Sequence, residues 1–157
     1  METSDGGESV TRSVFSSPSG FGDNFNIMDT PGTLPEDDKL VHAIGLRMAL
    51  IEKPLSRIFL FLKFERYGAM TKNLSEQLYF LQEWKNQITV IVTHWDRDVS
   101  FKNQNEYEMA KKILLEKNDI VDSFIFIGIK ANPQSACNAI YQSLCIYLPI
   151  QIEIPDQ

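Results

Sequence analysis

Cysteine is scarce, with two in 157 residues. Cys137 and Cys145 lie eight positions apart in a stretch that reads as one helix, so their rise differs by about 12 Å. A disulfide joins Cα atoms within about 7 Å, which excludes this pair, and both cysteines read as buried thiols without activation. No Cys-x-x-Cys pair and no histidine-rich cluster suggests zinc. Positive charge is in deficit: 15 Lys and Arg against 21 Asp and Glu leave a net charge of −6. Without a basic surplus to release counterions, nonspecific binding to nucleic acid or to an anionic membrane is disfavoured. A nucleotide held by backbone amides and a metal ion stays open. Long hydrophobic runs are also missing. The longest, Ile58-Phe59-Leu60-Phe61-Leu62, falls far short of the roughly 20 residues that span a bilayer. Met1-Glu2-Thr3-Ser4-Asp5 is acidic and polar, unlike a secretory signal. These absences give the expectation of a soluble, cytoplasmic chain with no transmembrane segment. What remains, 43% hydrophobic and 23% charged residues, suits one packed domain of ordinary size.

Residues 1–24, rich in Ser, Gly and acidic side chains with Pro18, Gly20 and Gly22, read as a flexible N-terminal segment without helical or strand period. Phe25-Asn26-Ile27-Met28 then reads as a strand ending at Asp29, before the turn signal Thr30-Pro31-Gly32. Thr33 and Glu36 match a capping box, and Leu40, Val41, Ile44, Met48 and Ile51 continue at helical spacing up to Pro54. The run from Arg57 to Phe64 has the look of a strand covered on both faces. Leu74, Leu78, Leu81 and Trp84 form a helical stripe behind a Thr71 cap, and Gln87 to Thr93 is β-branched and strand-like. Tyr107, Ala110, Ile113 and Leu114 mark a helix whose solvated face carries pairs such as Glu108–Lys112. Phe124 to Ile127 reads as a buried strand. Asn132 and Pro133 open a last helix with Ala136, Ile140, Leu144 and Tyr147 on its inner side. Ile150-x-Ile152-x-Ile154 alternates as a short docked strand would. Strand and helix in repeated alternation predict an open α/β sheet with crossover helices. Residues 25–148 are its domain and 149–157 a tail.

In such sheets ligands bind beyond the carboxyl ends of the strands. The first strand leads into Asp29-Thr30-Pro31-Gly32, where a carboxylate can hold Mg²⁺ through water and a glycine can bring its N–H against a terminal phosphate. The third leads into Thr93-His94-Trp95-Asp96, where one carboxylate can accept both hydrogens of the guanine N1–H and N2–H₂ edge. His94 and Trp95 offer flat surfaces for a base or for the loop wall. The plainer reading has Thr93 and Asp96 capping a loop and Trp95 packed in the core. His42 reads as a surface or boundary residue, and Lys63, Glu65 and Arg66 as a connection rather than chemistry.

Ser9-Val10-Thr11, the Asp29-Thr30-Pro31-Gly32 segment and the Thr93-His94-Trp95-Asp96 form of the base motif, taken together in this order, resemble the later nucleotide motifs of the immunity-associated nucleotide-binding (GIMAP, AIG-type) GTPases. The resemblance covers roughly residues 9–148. It implies a three-layer, P-loop GTPase-like, mostly parallel sheet that binds GTP or GDP with Mg²⁺. By position it implies Thr11 and Asp29 for the metal, Thr11 and Gly32 for the terminal phosphate, and Asp96 for the base with His94 alongside. Ala131 lies about where a backbone N–H meets the guanine carbonyl. A homodimer across the nucleotide face is the implied partner.

The family's GxxxxGK phosphate loop, closed by Ser or Thr, is nowhere in the sequence. With it are lost a cradle of backbone amides, a lysine and one Mg²⁺ ligand. The implied sheet lacks its first strand, between the strands at 25–28 and 57–64. A shortened form of a complete GTPase with weak or no nucleotide binding of its own is therefore the first expectation. Thr33, which follows Gly32, is not the glutamine some GTPases use to orient water, and no residue is assigned to catalysis. The alternative is a non-catalytic pseudo-GTPase interaction module.

Overall fold

The computed structural model describes residues 14–22, 25–30, 39–52, 54–79, 81–95, 104–118, 123–146 and 149–151. The capping box at Thr33 and Glu36 and the Ile152–Ile154 alternation lie outside them. The chain divides into two compact units, residues 1–55 with 149–157, and residues 56–148. The division falls inside the stretch 25–148 and joins the tail to the first unit.

The second unit is a mixed α/β arrangement built on three parallel strands, β3 (Ile58–Lys63), β4 (Ile88–Thr93) and β5 (Phe124–Ile127), in the order β3-β4-β5. Ile58 pairs with Ile88 and Lys63 with Thr93; Val90 pairs with Phe124 and Thr93 with Ile127. The central strand, Ile-Thr-Val-Ile-Val-Thr, is buried from Ile88 to Val92. Apolar side chains on both faces suit a strand covered on both sides and flanked on both edges. Helix α2 (Tyr67–Tyr79) packs on β3 and on α3 (Gln104–Asn118), and α4 (Pro133–Cys145) packs on β5. A short 3-10 helix, Gln82–Gln87, leads into β4.

The helical periods explain these contacts. Met70, Leu74 and Leu78 recur at four-residue spacing and are buried on α2; Ala110 and Leu114 do the same on α3. Ser75 donates from Oγ to Asn118 Oδ1 at 2.6 Å, tying the two helices at their polar margin. On α4 the Asn132 Oδ1 accepts from the Gln134 N–H at 2.9 Å, with Pro133 in the first turn, as the sequence predicts. Lys112 and Glu116 pair at 3.7 Å on the solvated face of α3.

Two expectations for this unit change. Thr71 is not a cap: α2 begins four residues earlier, and Thr71 Oγ1 donates to the Tyr67 carbonyl at 2.8 Å from inside the helix. A threonine hydroxyl satisfied by its own preceding turn has no need of a helix end. Cys145 is exposed rather than buried because α4 ends on it, while Cys137 is half-buried.

The first unit holds β1 (Phe15–Pro18), β2 (Asn26–Asp29) and α1 (Lys39–Glu52). β1 and β2 are antiparallel, with Phe15 opposite Asp29 and Pro18 opposite Asn26. β1 lies in a stretch read from composition as loop. What makes it a strand is its partner: the Ser19 N–H donates to the Phe25 carbonyl at 2.9 Å, and Phe21 and Phe25 meet edge to face at 5.4 Å. Gly22, at φ 70°, supplies the left-handed turn residue the connection needs.

On helix α1 the apolar residues at helical spacing are not the covered ones: Ile44, Met48 and Ile51 are exposed, and Ala49 and Leu50 are buried. Helical spacing defines a stripe, but the neighbours decide which stripe is covered. After α1, Leu55 and Ile150 exchange backbone hydrogen bonds of 2.7 and 2.8 Å, which docks the start of the tail.

Candidate functional site

Parallel strands direct their carboxyl ends to one rim, and here that rim is formed by Phe64, Thr93-His94-Trp95 and Gly128 to Ala131. Trp95 is its anchor. Its indole meets Phe64 edge to face at 5.0 Å and Phe126 at 4.6 Å. Its backbone N–H donates to the Ile127 carbonyl at 3.2 Å. The ring therefore packs into the wall of the rim, the plainer of the two uses the sequence offers.

Fixing Trp95 fixes the residue before it. His94 has φ 58°, the left-handed region, where a Cβ costs roughly 1–2 kcal/mol. Its side chain is exposed, with Nδ1 3.1 Å from Thr93 Oγ1. The kink turns His94 outward and Trp95 inward at the strand end. Asp96, expected to read the guanine edge, lies outside the described residues.

On the neighbouring strand end, the Ala131 N–H donates to the Gly128 carbonyl at 3.2 Å and closes a turn. The Ala131 amide, which the resemblance sets near a guanine carbonyl, here takes part in a four-residue reversal between β5 and α4.

Of the metal and phosphate residues, Asp29 closes β2, half-buried and opposite Phe15, in the first unit. Thr11 and Gly32 lie outside the described residues, as do the Ser9 and Val10 that precede Thr11. A single carboxylate at a strand end does not compose a magnesium site. Among the described residues no three His, Cys, Asp or Glu side chains gather to hold a metal ion. Also among the described residues, no helix is long and apolar enough to cross a membrane.

The opposite end of the same sheet holds a polar cluster that sequence reasoning missed. Arg57 donates from Nε to Thr89 Oγ1 at 2.7 Å and from Nη1 to the Asn86 carbonyl at 2.9 Å. Thr89 Oγ1 also lies 2.8 Å from Ser123 Oγ and 2.9 Å from Ser143 Oγ. Arg57 is 7% exposed and Thr89 0%. A threonine inside an apolar strand and an arginine just before another were the available signals. The network joins β3, β4, β5 and α4 at their shared base, which is a structural duty.

No protein-family model matches the chain, and no curated protein matches it at a significant level.

Proposed function

We propose that the chain is a guanine-nucleotide-binding module of the AIG type, a three-layer GTPase-like domain without its phosphate loop, with weak or no nucleotide binding of its own. The observation that carries the reading is the left-handed His94 between Thr93 and an anchored Trp95 at the carboxyl end of the central parallel strand. Ligands of open α/β sheets bind at that end, and strained backbone persists where a side chain has to be aimed.

Under this reading Asp96 accepts from the guanine edge with His94 beside the base. Asp29 and Thr11 serve Mg²⁺, and Thr11 and Gly32 meet the terminal phosphate of GTP. A second copy faces the nucleotide, and the module works in the cytoplasm. A second reading, a non-catalytic interaction module, is favoured by the missing GxxxxGK motif and by the engaged Ala131 amide.

Titration of ¹⁵N-labelled chain with Mg²⁺–GTP into the millimolar range, with Mg²⁺–ATP as the control, separates the two. Movement of the Thr93, His94 and Trp95 amides with GTP and much less with ATP is expected. Equal movement with both nucleotides overturns the guanine reading, and no movement with either favours the interaction module. Submicromolar GTP binding overturns the statement that binding is weak.

A further inference from the structure

A hydroxyl residue stands directly before proline twice in the chain, at Ser17-Pro18 and at Thr30-Pro31. Pro31 lies outside the described residues, whereas Ser17-Pro18 closes β1. Proline in that place holds the preceding backbone extended and offers no N–H that a bound partner would have to satisfy. The β1–β2 ladder accommodates it. The Ser19 N–H on the Phe25 carbonyl marks a hydrogen-bonded pair, and such pairs alternate in an antiparallel ladder. Ser17–Ile27 is the next one, and Pro18–Asn26 falls between them, where an N–H would point away from β2.

The serines around this turn differ in how firmly their hydroxyls are held. Ser19 Oγ donates to the Phe21 carbonyl and accepts from the Phe21 N–H at 3.0 Å, which locks it into the turn. Ser17 Oγ reaches the Pro18 carbonyl only at 3.3 Å, a long bond that a competing partner displaces easily. Ser16 is followed by serine rather than proline. All four residues of β1 are exposed, and a two-stranded ladder of this length is marginal by itself, so releasing the segment to a partner costs little.

We propose that Ser17 is a phosphorylation site for a proline-directed protein kinase, and that the phosphate loosens the β1–β2 hairpin. The inference does not rest on the nucleotide reading. In the transfer, Ser17 Oγ bonds to the γ-phosphorus of Mg²⁺–ATP and the bond from that phosphorus to the β,γ-bridging oxygen breaks. ADP leaves with the electron pair of that bond, and the hydroxyl proton passes to the catalytic aspartate of the kinase. The product carries about two added negative charges. Ser17 pairs with Ile27 and Phe15 with Asp29, so Ser17 and Asp29 share one face of the hairpin, about 7 Å apart on the diagonal. A phosphate there repels the carboxylate across a ladder with few bonds to resist it.

The full chain incubated with a purified proline-directed serine/threonine kinase and Mg²⁺–ATP tests it, read by intact mass and by fragment mapping. Phosphate on Ser17 is expected. Ser17→Ala should abolish that incorporation, and Pro18→Ala, which keeps the hydroxyl, should slow it at least about tenfold. Thr30→Ala should leave the Ser17 rate unchanged. Amide exchange of the phosphorylated natural chain gives a readout that needs no variant. The Ser19 amide should exchange at least about threefold faster, while the amides of β4 keep their protection. Absence of phosphate on Ser17, phosphate confined to Ser16, Ser19 or Thr30, or a rate indifferent to Pro18→Ala overturns the site. Phosphate on Ser17 with Ser19 exchange unchanged overturns the loosening.

Discussion

At the amino end of β4, Thr89 is wholly buried and its hydroxyl meets Arg57, Ser123 and Ser143; at the carboxyl end, Thr93 is half-buried and its hydroxyl lies against the exposed ring of His94. The same residue type, four positions apart on one strand, closes the first end and borders an opening at the second. Buried hydroxyls are costly unless paired, so the base of the sheet is a place where geometry is over-determined. The rim keeps a left-handed residue instead. Stability is invested at one pole and strain is held at the other, the division expected of a scaffold that presents a site.

Substitutions at the two poles should therefore act with opposite sign. Arg57→Ala removes the Nε and Nη1 donors from Thr89 and Asn86 and should cost about 3 kcal/mol in urea unfolding. A loss within a few tenths of a kcal/mol would mean that the base is not what holds β3 to β4. Thr89→Val keeps the shape, removes the shared hydroxyl and should cost about 2 kcal/mol, because Arg57, Ser123 and Ser143 each lose a partner. At the rim, His94→Gly should raise stability by about 1 kcal/mol by relieving the left-handed Cβ. A destabilised His94→Gly would show that the imidazole holds the rim together, and the contrast between the poles would fail. Smallest, Asn132→Ala removes the cap accepted from Gln134 and should cost about 0.5–1 kcal/mol. Its loss concerns only the start of α4 and should leave the Thr89 network unchanged by hydrogen exchange.

How far these features could be read beforehand depended on the range of the interaction behind each. The three parallel strands and the Asn132–Pro133 helix start were legible, because an apolar run and a nearby cap are local signals, but β3, with Phe61 and Lys63 exposed, and the half-buried β5 are less covered than their apolar runs suggest. Thr71 misled because one hydroxyl can cap a helix or bond back to the preceding turn, and the sequence does not distinguish them. β1 was illegible: Phe15-Ser16-Ser17-Pro18 has no strand pattern of its own and becomes one by pairing with Asn26 to Asp29. The exposed Ile44, Met48 and Ile51 show the same limit on a helix. Of the candidate site, the position of Thr93-His94-Trp95 at a strand end was readable; that Trp95 faces Phe64 and Phe126 was not, since both lie far along the chain.

The residues alone determined the alternation of strand and helix, because side-chain period and capping act over a few positions. They also determined the net charge and the absence of a GxxxxGK motif. Tertiary structure decided which apolar stripe is covered, which hydroxyls lock the base, and that Trp95 turns inward while His94 is forced left-handed. These depend on partners tens of residues away, whose approach no local pattern encodes.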